Sequence, residues 1–209
     1  MRGGLGKLGA NVRPILTNIP MSKITSPDII QPMMSLNHST SHFSSATQEI
    51  VEANERYQRS VQIQSTDDGR GYGIFATRHF QPGEPVIEST ALNSFGKPHS
   101  HSIQVGWETH VYIDLPARFL NHMCNPNLRV QPNGSNAYDF VALTTIEEGT
   151  EVGFDYETAE YELSEPIYCS CGSPKCRKVL KGFRYNKDQI LKTHGEGVLS
   201  PYLLSDKSV

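Results

Sequence analysis

Arg118-Phe119-Leu120-Asn121-His122-Met123-Cys124-Asn125-Pro126-Asn127 is the stretch on which the fold of this chain turns. Asn121, His122, Asn125 and Asn127 crowd polar side chains around one cysteine and a rigid Pro126. Buried without partners, such a cluster would cost stability. It is therefore expected either to hold a ligand or a backbone crossing, or to form a well-satisfied polar turn. Its cysteine has company further along, where Cys169-Ser170-Cys171-Gly172-Ser173-Pro174-Lys175-Cys176 reads C-x-C-x4-C. With Cys124 these make up the 4 cysteines of the chain. Two disulfides are formally open, yet Cys169 and Cys171 stand too close to staple a fold, and metal ligation in a reducing compartment fits better. Four thiolates suit a closed tetrahedral structural zinc with no open position for water, which argues against a zinc-dependent hydrolase. Sharing one metal would pin the C-terminal segment against the Asn-His loop.

Size and composition set bounds. With 209 residues, 37% of them hydrophobic and 20% charged, the chain suits one soluble domain with extensions. No apolar run approaches the roughly 20 residues that span a bilayer. A net charge of -3 argues against a whole-surface nucleic-acid binder, and no sequence-specific nucleic-acid binding is expected. Lys175, Arg177, Lys178, Lys181, Arg184 and Lys187 form a basic cluster, read as a solvated face, with a docking surface for an acidic partner as the alternative. The first 27 residues carry Arg2, Lys7, Arg13 and Lys23 but no acid, which suits an organelle transit segment or an ordinary tail. Asn37-His38-Ser39 and Asn133-Gly134-Ser135 match glycosylation sequons and, with no secretory signal before them, read as chance.

Around these landmarks the chain divides in order. Residues 1–57 read as a flexible extension, rich in Ser, Thr, Asn and Pro, with one amphipathic helix over about 46–58, where Ile50, Val51, Asn54 and Tyr57 share a face. Strand signals then take over. Ser60-Val61-Gln62-Ile63-Gln64 alternates, Asp67-Asp68-Gly69 turns, and Gly73-Ile74-Phe75-Ala76-Thr77 resumes as a strand. Further short strands are expected at 85–88, 101–105, 110–113, 139–143 and 151–154, with Asn133-Gly134 as a turn. The body is mostly β.

Two more stretches carry chemistry. Gly69-Arg70-Gly71-Tyr72-Gly73-Ile74-Phe75-Ala76 lets the backbone approach a ligand closely, although Gly-x-Gly alone is common in hairpins. Gly153-Phe154-Asp155-Tyr156-Glu157 places a tyrosine after an apolar strand, which alone reads as core with a bonded hydroxyl.

Taken in order, Gly-Arg-Gly-Tyr-Gly-Ile-Phe-Ala, Arg-Phe-Leu-Asn-His-x-Cys-x-Pro-Asn, Phe-Asp-Tyr and Cys-x-Cys-Gly-x3-Cys-Arg resemble a SET-domain protein lysine methyltransferase with a post-SET zinc segment. The resemblance covers about 58–185 and is strongest to compact members. It implies a fold of several small β-sheets with a pseudoknot, short helices and a four-cysteine zinc segment. It implies a SET domain over 58–163, a post-SET segment over 164–185 and a C-terminal tail over 186–209. Arg70, Gly71, Tyr72, Gly73, Asn121 and His122 would contact S-adenosylmethionine, Tyr156 would be the catalytic tyrosine, and Phe154 would line the substrate channel. Cys124, Cys169, Cys171 and Cys176 would be the zinc ligands. The implied activity is methyl transfer to lysine amines of a protein or peptide, histone tails among them, without a membrane partner, in the nucleus or cytoplasm. The alternative is a zinc-stabilised SET-fold binding module without turnover. Phe154 stands where relatives carry Phe or Tyr, and Phe implies addition of two or three methyls. Met123, Ser89 and Lys178 depart from the pattern: Ser89 stands where many members place a channel-lining Tyr, and Lys178 where Gly is usual.

Overall fold

The computed structural model describes residues 41–206, so the expectations for the first 40 residues lie outside them. A helix, α1 (Ser41–Tyr57), precedes twelve strands: β1 (Val61–Ser65), β2 (Tyr72–Ala76), β3 (Pro85–Glu88), β4 (Ala91–Phe95), β5 (Ile103–Gly106), β6 (Thr109–Ile113), β7 (Asn121–His122), β8 (Leu128–Pro132), β9 (Tyr138–Ala142), β10 (Glu151–Phe154), β11 (Ile167–Tyr168) and β12 (Val179–Leu180). A second helix, α2 (Phe183–His194), follows. The strands form three sheets. The largest runs β1-β2-β10-β8-β9-β3 with β7 beside β10, a second runs β4-β6-β5, and β11 pairs with β12. The mostly β body is as the sequence reading expected.

Period-two patterning drives the first hairpin. Val61 and Ile63 are buried while Gln62 and Gln64 face out, so β1 covers the core with one face. The Asn54 side chain accepts from Ile63 N at 2.7 Å, tying α1 to that strand. The core gathers Ile74, Phe80, Ile87, Leu128, Phe140, Ile146 and Val152 between the sheets. Strands β4 and β8 escaped the sequence reading. In β4 no residue is buried, Leu92 being 54% exposed, and pairing with β6 supplies what a buried face does not.

The feature that positions the site is the short strand β7. It runs parallel to β10 with Asn121 opposite Gly153 and His122 opposite Phe154, and Met123 N donates to Phe154 O at 2.9 Å. Gly153 makes this approach possible, since a Cβ there would lie 2.5 Å from Asn121 O. The Asn-His segment is thus held edge-on against the strand leading to Tyr156. This is the backbone crossing that the polar cluster foreshadowed.

Residues 186–209 were expected as a tail, but the structure differs over those it describes. Phe183, Ile190, Val198, Leu199 and Leu203 form a second buried cluster around α2. Ser200 N donates to Thr158 O, and Phe183 N to Glu160 O, both at 2.8 Å, so this segment packs onto the turn that follows Tyr156. The tail reading missed it because the apolar residues are spread over a kinked helix and two 3-10 turns.

Candidate active site

Three separated stretches converge on β10. The Asn121 amide donates to Tyr72 O and to Glu151 Oε1, each at 2.9 Å. Asn127 accepts from Gly153 N and donates to Glu151 O, again at 2.9 Å each. Both asparagines therefore satisfy backbone groups at the crossing, which explains why amide side chains stand there. Arg70 lays its guanidinium on Glu151 through two hydrogen bonds of 2.8 Å, so its charge is paired at the partly exposed rim of the site. Gly73 leaves room for that carboxylate, because a Cβ would meet Glu151 Oε1 at 2.8 Å. Gly71, at φ +89°, adopts a conformation that glycine serves best and leaves the space beside it open.

Tyr156 sits just after the crossing. Its hydroxyl donates to Leu120 O at 2.7 Å, and its backbone N–H donates to His122 Nδ1 at 3.2 Å. Burial pushes the phenol pKa up, so it remains neutral. Burial also drives His122 down to about 4, which keeps its imidazole uncharged near neutral pH. The His122 and Tyr156 rings meet edge-on with centroids 5.3 Å apart, and each lines a different cavity. One, of about 300 Å³, is walled by Arg70, His122, Met123, Glu151, Cys171 and Pro174. The other, of about 500 Å³, is walled by Ile103, Leu120, Phe154, Tyr156, Glu160 and Ile167 among others. Ser89 is absent from both walls. It is buried, with its hydroxyl donating to Tyr138 O at 2.6 Å.

The cysteines come together as their spacing predicts. The sulfurs of Cys124, Cys169, Cys171 and Cys176 all lie within 4.8 Å of one another, and Cys124 Sγ is 3.9 Å from Cys169 Sγ. A tetrahedral zinc with bonds of about 2.3 Å separates its sulfurs by roughly 3.8 Å, so the set fits that ion. Cys171 N points at Cys169 Sγ and Arg177 N at Cys124 Sγ, both at 3.4 Å, as outer partners of thiolate ligands do.

Arg177 was missed as a site residue and counted with a solvated basic face; the structure corrects this. Its side chain is only 4% exposed. The guanidinium donates to Asp155 Oδ1 and, at 2.8 Å, to Glu157 Oε2, the two carboxylates that flank Tyr156. Glu157 Oε1 takes the backbone N–H groups of Lys181 and Gly182 and the Asn186 amide, each at 2.9 Å. Asp155 is held below the usual carboxylate range against its burial, by contact with His194 and Arg177. The signal for these roles lay in the Asp-Tyr-Glu and Cys-Arg runs, but which charges pair required the fold. Lys178 adopts φ 65°, the left-handed conformation for which glycine is the usual choice, so the segment keeps its course despite the substitution.

Residues 71–157 match the family model described as the SET domain. This segment is a SET domain. Around it, the chain is 40% identical over 68 residues to histone-lysine N-methyltransferase ash1 of Drosophila melanogaster, covering 31% of this chain and 3% of that protein. It is 32% identical over 112 residues to the H3 lysine-9 specific histone-lysine N-methyltransferase KMT1 of Fusarium mangiferae, covering 43% and 32%. The chain thus spans about a third or less of the length of these relatives. A solved structure of KRYPTONITE in complex with mCHG DNA and SAH aligns with TM-score 0.46 and 23% identity, over 57% of this chain and 28% of that one. The SET domain carries Tyr72, Asn121, His122, Cys124, Phe154 and Tyr156, while the remaining cysteines and Arg177 lie beyond its matched end.

Proposed function

We propose that this chain transfers methyl groups from S-adenosylmethionine to the side-chain amine of protein lysines, with histone tails as the substrate class and the nucleus as the place of action. The observation that carries this reading is the setting of Tyr156, whose neutral buried hydroxyl is fixed by Leu120 O in the wall of the larger cavity, beside the His122 ring of the smaller one. Support also comes from relatives named as histone-lysine N-methyltransferases. In this reading the smaller cavity takes the methyl donor, with Arg70 and His122 in its wall and Gly71, Tyr72, Gly73 and Asn121 on the segments that carry them. The larger cavity takes the lysine, with Phe154 in its wall.

The donor supplies a methyl already activated on a positive sulfur, so the chain needs no nucleophile of its own. Its residues bind, orient and exclude water. A free lysine must lose a proton first, which costs roughly 4 kcal/mol at neutral pH. An apolar passage lowers that cost by disfavouring the ammonium, and alignment of amine and methyl supplies much of the remaining acceleration. Zinc on the four cysteines would hold the 169–177 strap across the donor cavity and take no part in the chemistry.

The test is incubation with labelled S-adenosylmethionine, using histones and nuclear extract as acceptors and Tyr156→Phe as control. Label on a lysine well above that control is expected. No label above it in either sample would leave a binding module without turnover.

A further inference from the structure

We propose that Glu160 is the proton acceptor for the incoming lysine ammonium, an inference that rests on reading the Tyr156 cavity as the lysine site. Glu160 lies one turn after Tyr156, with its N–H on Tyr156 O at 2.8 Å, and it shares the wall of the 500 Å³ cavity with Tyr156 and Phe154. Ile103, Ile113 and Leu120 supply apolar wall in the same cavity. The carboxyl is nearly buried, and among the described residues its one hydrogen bond is from Gln104 N to Oε1 at 2.9 Å. Oε2 takes none there, and its nearest cation-capable neighbour is His110 Nδ1, 3.9 Å away and without a hydrogen bond among the described residues. A carboxyl placed to serve only the fold would be expected to fill both oxygens. This one keeps an oxygen in reserve beside the space where an amine must shed a proton.

The step balances. An N–H bond of the lysine ammonium breaks and an O–H bond forms on Glu160, leaving a neutral amine and a neutral acid. The freed lone pair then forms the N–C bond as the methyl leaves sulfur, whose bonding pair stays behind as a thioether. The product ammonium leaves, and Glu160 returns its proton to water. Burial of the Glu160 carboxyl favours the neutral pair over ammonium and carboxylate, the reverse of the preference in water.

The charges around Glu160 suit this cycle. His110 on β6 is held down by burial, and the phenols of Tyr138, Tyr156 and Tyr202 are all raised, so each is neutral around pH 8. Gln104 on β5 carries no charge, while His99, His101, Arg118 and Glu165 line the same cavity. Burial lifts Glu160 to about 8, far closer to the lysine amine than an ordinary carboxylate, and lets it reset near neutral pH.

The experiment is a pH–rate profile of the zinc-loaded full chain against its Glu160→Gln variant, on whichever acceptor the wild type methylates. Gln preserves the bond from Gln104 N. At pH 7.5 kcat is expected to fall about 100-fold with the KM for S-adenosylmethionine unchanged. The deficit should shrink towards pH 10, where solution deprotonates the amine unaided. A kcat within two-fold of wild type at pH 7.5, or a loss independent of pH, would overturn the proposal. Should Glu160→Gln fail to fold, Glu160→Ala with added formate, which fits the vacated space, should regain rate; no regain counts against the proposal. A wild type silent on every acceptor would instead remove the reading on which the proposal rests, and the proposal with it.

Discussion

The hydroxyl of Tyr156 reaches across the crossing to the backbone carbonyl of Leu120, 36 residues earlier, at 2.7 Å. Neither residue could find the other unless β7 lay beside β10. The same contact orients the phenol into the larger cavity, so a backbone crossing and a side-chain direction are set by one bond.

That crossing depends on an absent methyl. Gly153→Ala would drive a Cβ to 2.5 Å from Asn121 O and about 3 Å from Met123 Cγ. Overpacking of this kind costs about 1–3 kcal/mol. Urea denaturation should show that loss, and binding of S-adenosylhomocysteine by calorimetry should weaken more than for Gly134→Ala, where a Cβ meets open space.

Arg177 holds two buried carboxylates at once. Arg177→Met removes the cation shared by Asp155 and Glu157, leaving Asp155 with His194 and Glu157 with its N–H donors, and stability should drop by about 3–5 kcal/mol in chemical denaturation. Arg177→Lys should recover little, because a single ammonium cannot reproduce a fork that spans both acids. Full recovery by Lys would show that charge alone matters there.

Glu160 makes stability depend on pH in a direction opposite to an ordinary carboxylate. Its folded value near 8 exceeds the ordinary 4.5, so between these limits the folded chain keeps a proton that the unfolded chain has lost. The contribution is whole below pH 4.5 and fades as pH rises through 8, at up to about 1.4 kcal/mol per pH unit. Glu160→Gln should flatten that decline. The difference between the two stability curves, measured by denaturation from pH 5 to 9, isolates this group from His110 beside it.

Purified protein should hold close to one zinc per chain by atomic emission. Cys171→Ser should lower both metal content and affinity for S-adenosylhomocysteine, since Cys171 belongs to the sulfur cluster and to the wall of the smaller cavity. Affinity surviving chelation would separate the strap from that cavity.

Phe154 packs on Tyr156 with ring centroids 5.0 Å apart and lines the larger cavity. Mass spectrometry at long reaction times should find two or three methyls on the target lysine. Phe154→Tyr should shift the product towards one, by adding a hydroxyl that occupies space and bonds the amine. Accumulation of monomethyl-lysine alone by the wild type would contradict the first expectation.

Much of this arrangement was legible before folding, for physical reasons that can be named. The strands at 61–65, 72–76, 85–88 and 151–154 show in the sequence because alternation or short apolar runs mark one buried face. The cysteine cluster shows because C-x-C-x4-C with Cys124 is a spacing that lets four sulfurs gather at one point. What stayed hidden is pairing between distant charges. Arg70 with Glu151 and Arg177 with Asp155 are separated by 81 and 22 positions, and no local pattern announces either partner. Glu160 reads as one more surface acid until Gln104, His110 and Tyr156 are seen around it.

The strap has a consequence for how the molecule is made. The crossing and the strap join positions 49 and 53 residues apart, as in Tyr72 with Asn121 and Cys124 with Arg177, and pairings of such separation form slowly. A chain leaves the ribosome from its N-terminus. Asp155 and Glu157 therefore emerge before the arginine that pairs with them. The smaller cavity, walled by Ser170, Cys171, Ser173 and Pro174 as well as His122, is therefore complete only once the 169–177 strap has been made.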